Sequence, residues 1–169
     1  MNKIYLAGGC FWCISDYLKS FKGISKVVVG YCGGDEHNVS YNDVKEQRTG
    51  HRETVEVYYD NSISKEDILD IFVSYVDLFD PDGQYIDKGF SYTLALYYQD
   101  EKEKQLFTNK IQELEKTYDR KVYVAIEPFK FFINAEEYHQ DYSNKNPNEF
   151  YEELVNSNRV CHLKLFKKN

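Results

Sequence analysis

The chain has 169 residues, a length at which one core can bury about 70% of the unfolded surface without disulfides or metal, so a single domain over 1–169 is expected. Lys and Arg number 21 against 28 Asp and Glu, a net charge of −7, which argues against a protein that tracks nucleic-acid phosphates or lies on an acidic membrane surface. No stretch of about 18 apolar residues occurs, and Met1 to Leu6, broken by Gly8-Gly9, is too short for a signal peptide, so a soluble cytoplasmic protein is expected.

Ile4-Tyr5-Leu6-Ala7 reads as a first strand stopped by Gly8-Gly9. Ile14, Tyr17, Leu18 and Phe21 then recur at helical spacing, giving a helix over 11–21 that Gly23 ends. Val27-Val28-Val29 is the second strand, closed by Gly33-Gly34 and followed by a polar loop of about eighteen residues, long enough to suggest function. Arg52 to Tyr59 is the third strand, with Glu53, Val55, Val57 and Tyr59 on one face. Ser64 and Asp67 resemble a capping box opening a helix whose stripe is Ile68, Ile71, Phe72, Tyr75 and Phe79. A loop with Pro81 and Gly83 leads to a fourth strand, Tyr92 to Tyr98. Asp100 and Glu103 cap a third helix with Phe107, Ile111, Leu114 and Tyr118 inward, and Val122 to Ile126 is a fifth strand. From Pro128 the chain reads as irregular, with a helical turn near Glu136 to Tyr142.

The opening order β-α-β-β-α-β predicts an α+β fold with a ferredoxin-like split βαβ core, a mixed or antiparallel sheet and helices on one face. In that layout the first strand is central and the third and fourth run antiparallel on either side of it. Glu53 and Tyr92 are then expected beside Cys10, and the two loops carrying Tyr41 and Asp87 open at the same end.

Cys10 lies between a Gly-Gly turn and the start of a helix, where unpaired N–H groups and the helix dipole favour a thiolate. Taken alone, such a cysteine is as easily a small buried hydrophobe. Cys13 follows at CxxC spacing, so either sulfur could attack the oxidised form of the other. Zinc would need a second pair of ligands that neither Cys32, Cys161 nor the four histidines supply, so redox chemistry is the better reading. Phe11 and Trp12, successive on a helix, cannot both face the core, so at least one should line a pocket or lie on the surface. Glu53, at the mouth of an apolar face, is costly to ionise and would then be a proton donor; a solvated strand-end carboxylate is the bland alternative. His51 and His139 read as structural hydrogen-bonding residues, and Gly33-Gly34 lacks a phosphate-binding pattern.

Gly8-Gly9-Cys10-Phe11-Trp12-Cys13, Gly30-Tyr31-Cys32-Gly33-Gly34, Thr49-Gly50-His51-Arg52-Glu53 and Glu136-Glu137-Tyr138-His139-Gln140-Asp141-Tyr142 together resemble type A peptide-methionine sulfoxide reductase over about positions 4 to 147. The resemblance implies reduction of the S epimer of methionine sulfoxide, free or in proteins, with no cofactor. It implies Cys10 as nucleophile, Glu53 as acid, Tyr41 and Tyr92 as hydroxyl donors, Phe11 and Trp12 as the methyl pocket, and Asp87 as a carboxylate that orients substrate. A resolving cysteine, Cys13 or alternatively Cys161, would form a disulfide that a thioredoxin-like partner reduces. Two competing classes are a thioredoxin-like disulfide oxidoreductase and a ferredoxin-like module binding single-stranded RNA. The placement of the prolines weighs against the first, and the negative charge against the second.

Overall fold

A computed structural model describes residues 2–156. A six-stranded mixed sheet carries the fold. Its strands are β1 (Asn2–Gly8), β2 (Ile24–Cys32), β3 (Arg52–Tyr59), β6 (Leu94–Tyr98), β7 (Val124–Pro128) and β8 (Phe132–Asn134), in the order β7-β6-β1-β3-β2-β8. Two short strands, β4 (Gly83–Gln84) and β5 (Asp87–Lys88), form a separate hairpin. The helices are α1 (Phe11–Lys19), α2 (Tyr41–Lys45), α3 (Lys65–Tyr75), α4 (Glu101–Tyr118), α5 (Tyr142–Lys145) and α6 (Pro147–Asn156). β1 pairs antiparallel with both β3 and β6, so the first strand is central. The single parallel pairing joins β6 to β7 across α4.

Period-two alternation gives the sheet two apolar faces. Ile4 and Leu6 of β1, Val27, Val29 and Tyr31 of β2, Val55 and Val57 of β3, and Leu94 and Leu96 of β6 meet the buried stripes of α1, α3 and α4. Ile14, Phe72 and Phe107 anchor these helices with no exposed surface, each burial being worth about 1.5–3 kcal/mol. The opposite face carries Tyr5, Ala7, Cys32, Ala95 and Tyr97, covered by Phe129 from the β7–β8 connection and Phe132 at the start of β8. Tyr5 stacks on Phe129 at 4.0 Å. The segment read as irregular thus roofs a second core.

The Ser64–Asp67 capping box forms as expected, with Asp67 N to Ser64 Oγ at 3.0 Å and Ser64 N to Asp67 Oδ2 at 3.1 Å. The loop after β2 is less irregular than expected: Ser40 and Asp43 make the same reciprocal box and open α2 at Tyr41. The fourth strand begins at Leu94, because Phe90–Tyr92 forms a 3-10 turn. The fifth strand is shifted to Val124–Pro128, since the N–H groups of Val122 and Tyr123 are taken by Glu115 Oε2 and the Leu78 carbonyl. Beyond the turn near residue 138 the chain forms α6, which opens on Pro147 and buries Phe150 and Leu154. No helix among the described residues is long and apolar enough to cross a membrane.

Candidate active site

Cys10 occupies the N-cap position of α1 and is 6% exposed. The chain reaches it through Gly9, whose φ of +84° only glycine adopts readily; a Cβ there would lie 2.8 Å from Cβ of Gln84. Gln84 is itself fixed, donating to the Asp77 carbonyl at 2.7 Å and accepting from the Asp77 N–H at 2.8 Å. Cys10 makes no side-chain cap. Instead the first free N–H of the helix, on Phe11, donates to Oε1 of Glu53 at 3.1 Å.

Strand register delivers that carboxyl. Leu6 lies opposite Val55, so continuing the antiparallel ladder sets Glu53 beside Gly8, just ahead of Cys10. Glu53 is 1% exposed. Burial, reinforced by the neighbouring Cys10 charge, raises its pKa well above the carboxylate range, against the pull of the Phe11 N–H. Burial therefore favours the protonated form of this carboxyl.

Tyr41 opens α2, and Tyr92 ends the turn before β6, whose Leu94 pairs with Gly8. Burial raises both phenols well above their usual range, and the charge of Glu53 adds to it, as do those of Cys10 and Asp87. Both remain O–H donors. Asp87, on the β4–β5 hairpin, has a carboxylate oxygen within 4.8 Å of Cys10 Sγ. Cys10, Glu53, Tyr41, Tyr92 and Asp87, spread over the sequence, thus face one another at one end of the sheet.

The aromatic pair divides as helix geometry requires: Phe11 is wholly buried and Trp12 half-buried. Phe11, Trp12 and Tyr41 form a continuous wall, with Tyr41 at 6.1 Å from the Phe11 ring and 6.0 Å from that of Trp12. Tyr142 stacks on Trp12 at 4.0 Å and 9°. Cys13 is buried one turn along α1 from Cys10, and both are reduced thiols. Cys161 lies outside the described residues. Cys32 sits on the other sheet face, its Sγ at 3.3 Å from the Phe131 carbonyl, and burial pushes its pKa up to about 12.

His51 is a loop-fastening residue as expected, taking the Gly34 N–H at 3.2 Å and facing the Glu36 carbonyl at 2.8 Å. Sequence reasoning missed Glu153 of α6, whose carboxylate joins Cys10 and Asp87 within 4.8 Å. Among the described residues that trio is the one cluster whose thiol and carboxylates could hold a cation, yet its sulfur is the candidate nucleophile. Sequence reasoning also missed how the 136–142 segment braces the site. Glu136 accepts the Tyr41 N–H at 3.0 Å and the Tyr31 hydroxyl at 2.8 Å, while Gln140 spans the N–H and C=O of Val29 at 3.0 and 2.9 Å.

The sequence model described as "Peptide methionine sulfoxide reductase" matches residues 2–168. "Peptide methionine sulfoxide reductase MsrA 2" of Staphylococcus aureus (strain Mu50) is 41% identical over 168 residues, covering 96% of this chain and 95% of that protein. "Peptide methionine sulfoxide reductase MsrA" of Picrophilus torridus is 42% identical over 153 residues, covering 89% and 86%. The crystal structure of Mxr1 from Saccharomyces cerevisiae in reduced form superposes with a TM-score of 0.81 at 31% identity, covering 87% of this chain and 86% of that one. With a thiol at a helix start beside a buried carboxyl, and matched over nearly its whole length, this chain belongs to the peptide methionine sulfoxide reductase family.

Proposed function

We propose that this chain reduces the S epimer of methionine sulfoxide, free or in proteins, and that 1–169 acts as one cytoplasmic catalytic domain. The strand order β6-β1-β3-β2 at the centre of the sheet supports a ferredoxin-like split βαβ description of its core. The observation that carries the function is Glu53: a carboxyl 1% exposed, hydrogen-bonded to the helix N–H next to the thiol, its pKa raised by burial.

The Cys10 thiolate attacks the sulfoxide sulfur while Glu53 gives its proton to the sulfoxide oxygen. Tyr41 and Tyr92 donate hydrogen bonds to that oxygen, which carries growing negative charge before it is protonated. The methyl group rests on Phe11 and Trp12, and Asp87 orients the rest of the substrate. The hydroxyl then shifts from the substrate sulfur to the Cys10 sulfur: the S–O bond to substrate and the S–S bond formed in the attack both break, methionine departs with the electron pair of the S–S bond, and Cys10 is left as a sulfenic acid. Cys13 attacks that sulfur, water leaves and a disulfide forms; Cys161 is the alternative resolver. A thioredoxin-like dithiol reduces the disulfide and is itself oxidised.

The test is single-turnover reaction with each epimer separately. One equivalent of methionine per chain from the S epimer, none from the R epimer, and none from Cys10→Ser with either are the expected results. Reduction by Cys10→Ser at the wild-type rate would end the proposal.

A further inference from the structure

The Trp12 indole N–H donates to Nδ1 of His139 at 3.0 Å. An indole nitrogen only donates, so Nδ1 must accept and the ring proton must sit on Nε2. His139 is 1% exposed and lies against Tyr41 at 4.3 Å, Phe11 at 5.4 Å and Trp12 at 5.6 Å, so one imidazole touches all three rings of the aromatic wall. Its Nε2 is buried with no hydrogen-bond partner among the described residues. A second proton would therefore turn the acceptor toward Trp12 into a donor and leave a buried cation without an acceptor at Nε2.

We propose that His139 is a positioning residue of the reductase reaction: its neutral imidazole holds the indole edge of Trp12 in place as a wall of the methyl pocket, and protonation releases it. This rests on the proposed role of Trp12.

The charged and titratable groups facing the ring are Glu136 and Tyr138 on its own turn and Tyr41 from α2. Burial lowers the His139 pKa below its usual 6.5, and Glu136 only partly offsets this. The ring is thus neutral at pH 7, and the contact is lost as pH falls through that lowered value. A bystander core histidine would change stability alone; a positioning histidine changes KM and the environment of Trp12.

Trp12 is the sole tryptophan, so its emission reports the contact without substrate. The experiment compares wild type, His139→Phe, which keeps bulk but not the acceptor, and His139→Asn, which keeps an acceptor at the Nδ1 position but does not titrate. Emission and steady-state reduction of the S epimer are measured from about pH 5 to about pH 8. Wild type is expected to show an emission change and a KM rise together below about pH 6.5. Phe raises KM about tenfold at all pH values with kcat within about threefold, while Asn keeps KM within about threefold and loses the acid transition. Emission and KM unchanged in Phe, or an acid transition surviving in Asn, would overturn the role; should Phe fail to fold, the Asn variant and the wild-type titration decide. A wild type without reductase activity overturns the role together with the reading of the site, an outcome told apart because emission still reports whether His139 holds the indole.

Discussion

Glu53→Gln separates giving a hydrogen bond from giving a proton. Glu53 Oε1 accepts the Phe11 N–H at 3.1 Å, which leaves Oε2, the other buried oxygen, as the one to carry a proton toward substrate. A glutamine in the same place keeps its carbonyl on Phe11 and offers an amide N–H where Oε2–H stood, so shape, cap and hydrogen bond survive and only proton transfer is lost. General acid catalysis contributes about 10²- to 10⁴-fold, or about 3–6 kcal/mol at about 1.4 kcal/mol per tenfold. The reductase step in a single turnover should fall by that factor while the Cys10 thiol still reacts with a disulfide reagent. Wild-type rates should decline at alkaline pH as Glu53 ionises, and the variant should lack that limb. Because burial raises the folded pKa of Glu53, its stabilising effect is complete below the unfolded value and is lost as pH rises through the folded one. The glutamine variant should therefore melt higher than wild type under alkaline conditions. A single-turnover rate within about threefold of wild type would refute the assignment of Glu53 as the acid.

Cys13→Ser should still give one equivalent of methionine but fail to be recycled by a thioredoxin-like reductant; if recycling continues and Cys161→Ser stops it, Cys161 is the resolver. Gly9→Ala forces a Cβ to 2.8 Å from Cβ of Gln84 at a φ of +84°, and thermal unfolding should show a loss of about 1–3 kcal/mol, with slowed alkylation of Cys10. Glu153→Gln removes one of two carboxylates within 4.8 Å of Cys10 Sγ, so iodoacetamide should alkylate Cys10 about 2- to 10-fold faster at neutral pH; an unchanged rate would mean that the carboxylate does not oppose thiolate formation.

Most of the first hundred residues could be read because each element carries its own start, period and stop. Ser64 and Asp67 open α3, Gly8-Gly9 ends β1, and β3 alternates cleanly. Strand pairing alone predicts Glu53 beside Cys10, and its carboxyl does meet the first N–H of α1, on Phe11, at 3.1 Å. Ser40 and Asp43 repeat the pattern of Ser64 and Asp67, so α2 was legible by the same rule, but at five residues it has too short an apolar stripe to announce itself. Pro147 at a first helical position, with Phe150 and Leu154 four apart, marked α6 in the same quiet way. What no local pattern could show is long-range partnership. The donor to His139 is 127 residues away and the strand edge completed by Gln140 is 111 away, so the 136–142 motif looked merely structural until its partners stood beside it.

The two-sided sheet also acts as a partition for sulfur. Cys10 and Cys13 belong to the helical side, whereas Cys32 lies behind the strands among Tyr5, Tyr97 and Ala95, where a pKa of about 12 keeps it a sluggish thiol. The chain contains one methionine, Met1. Among the described residues, a catalyst that meets oxidised partners thus keeps Cys32 walled off from the helical side, and the chain carries almost none of the residue its family restores, so oxidant reaching this core has few sulfurs to harm.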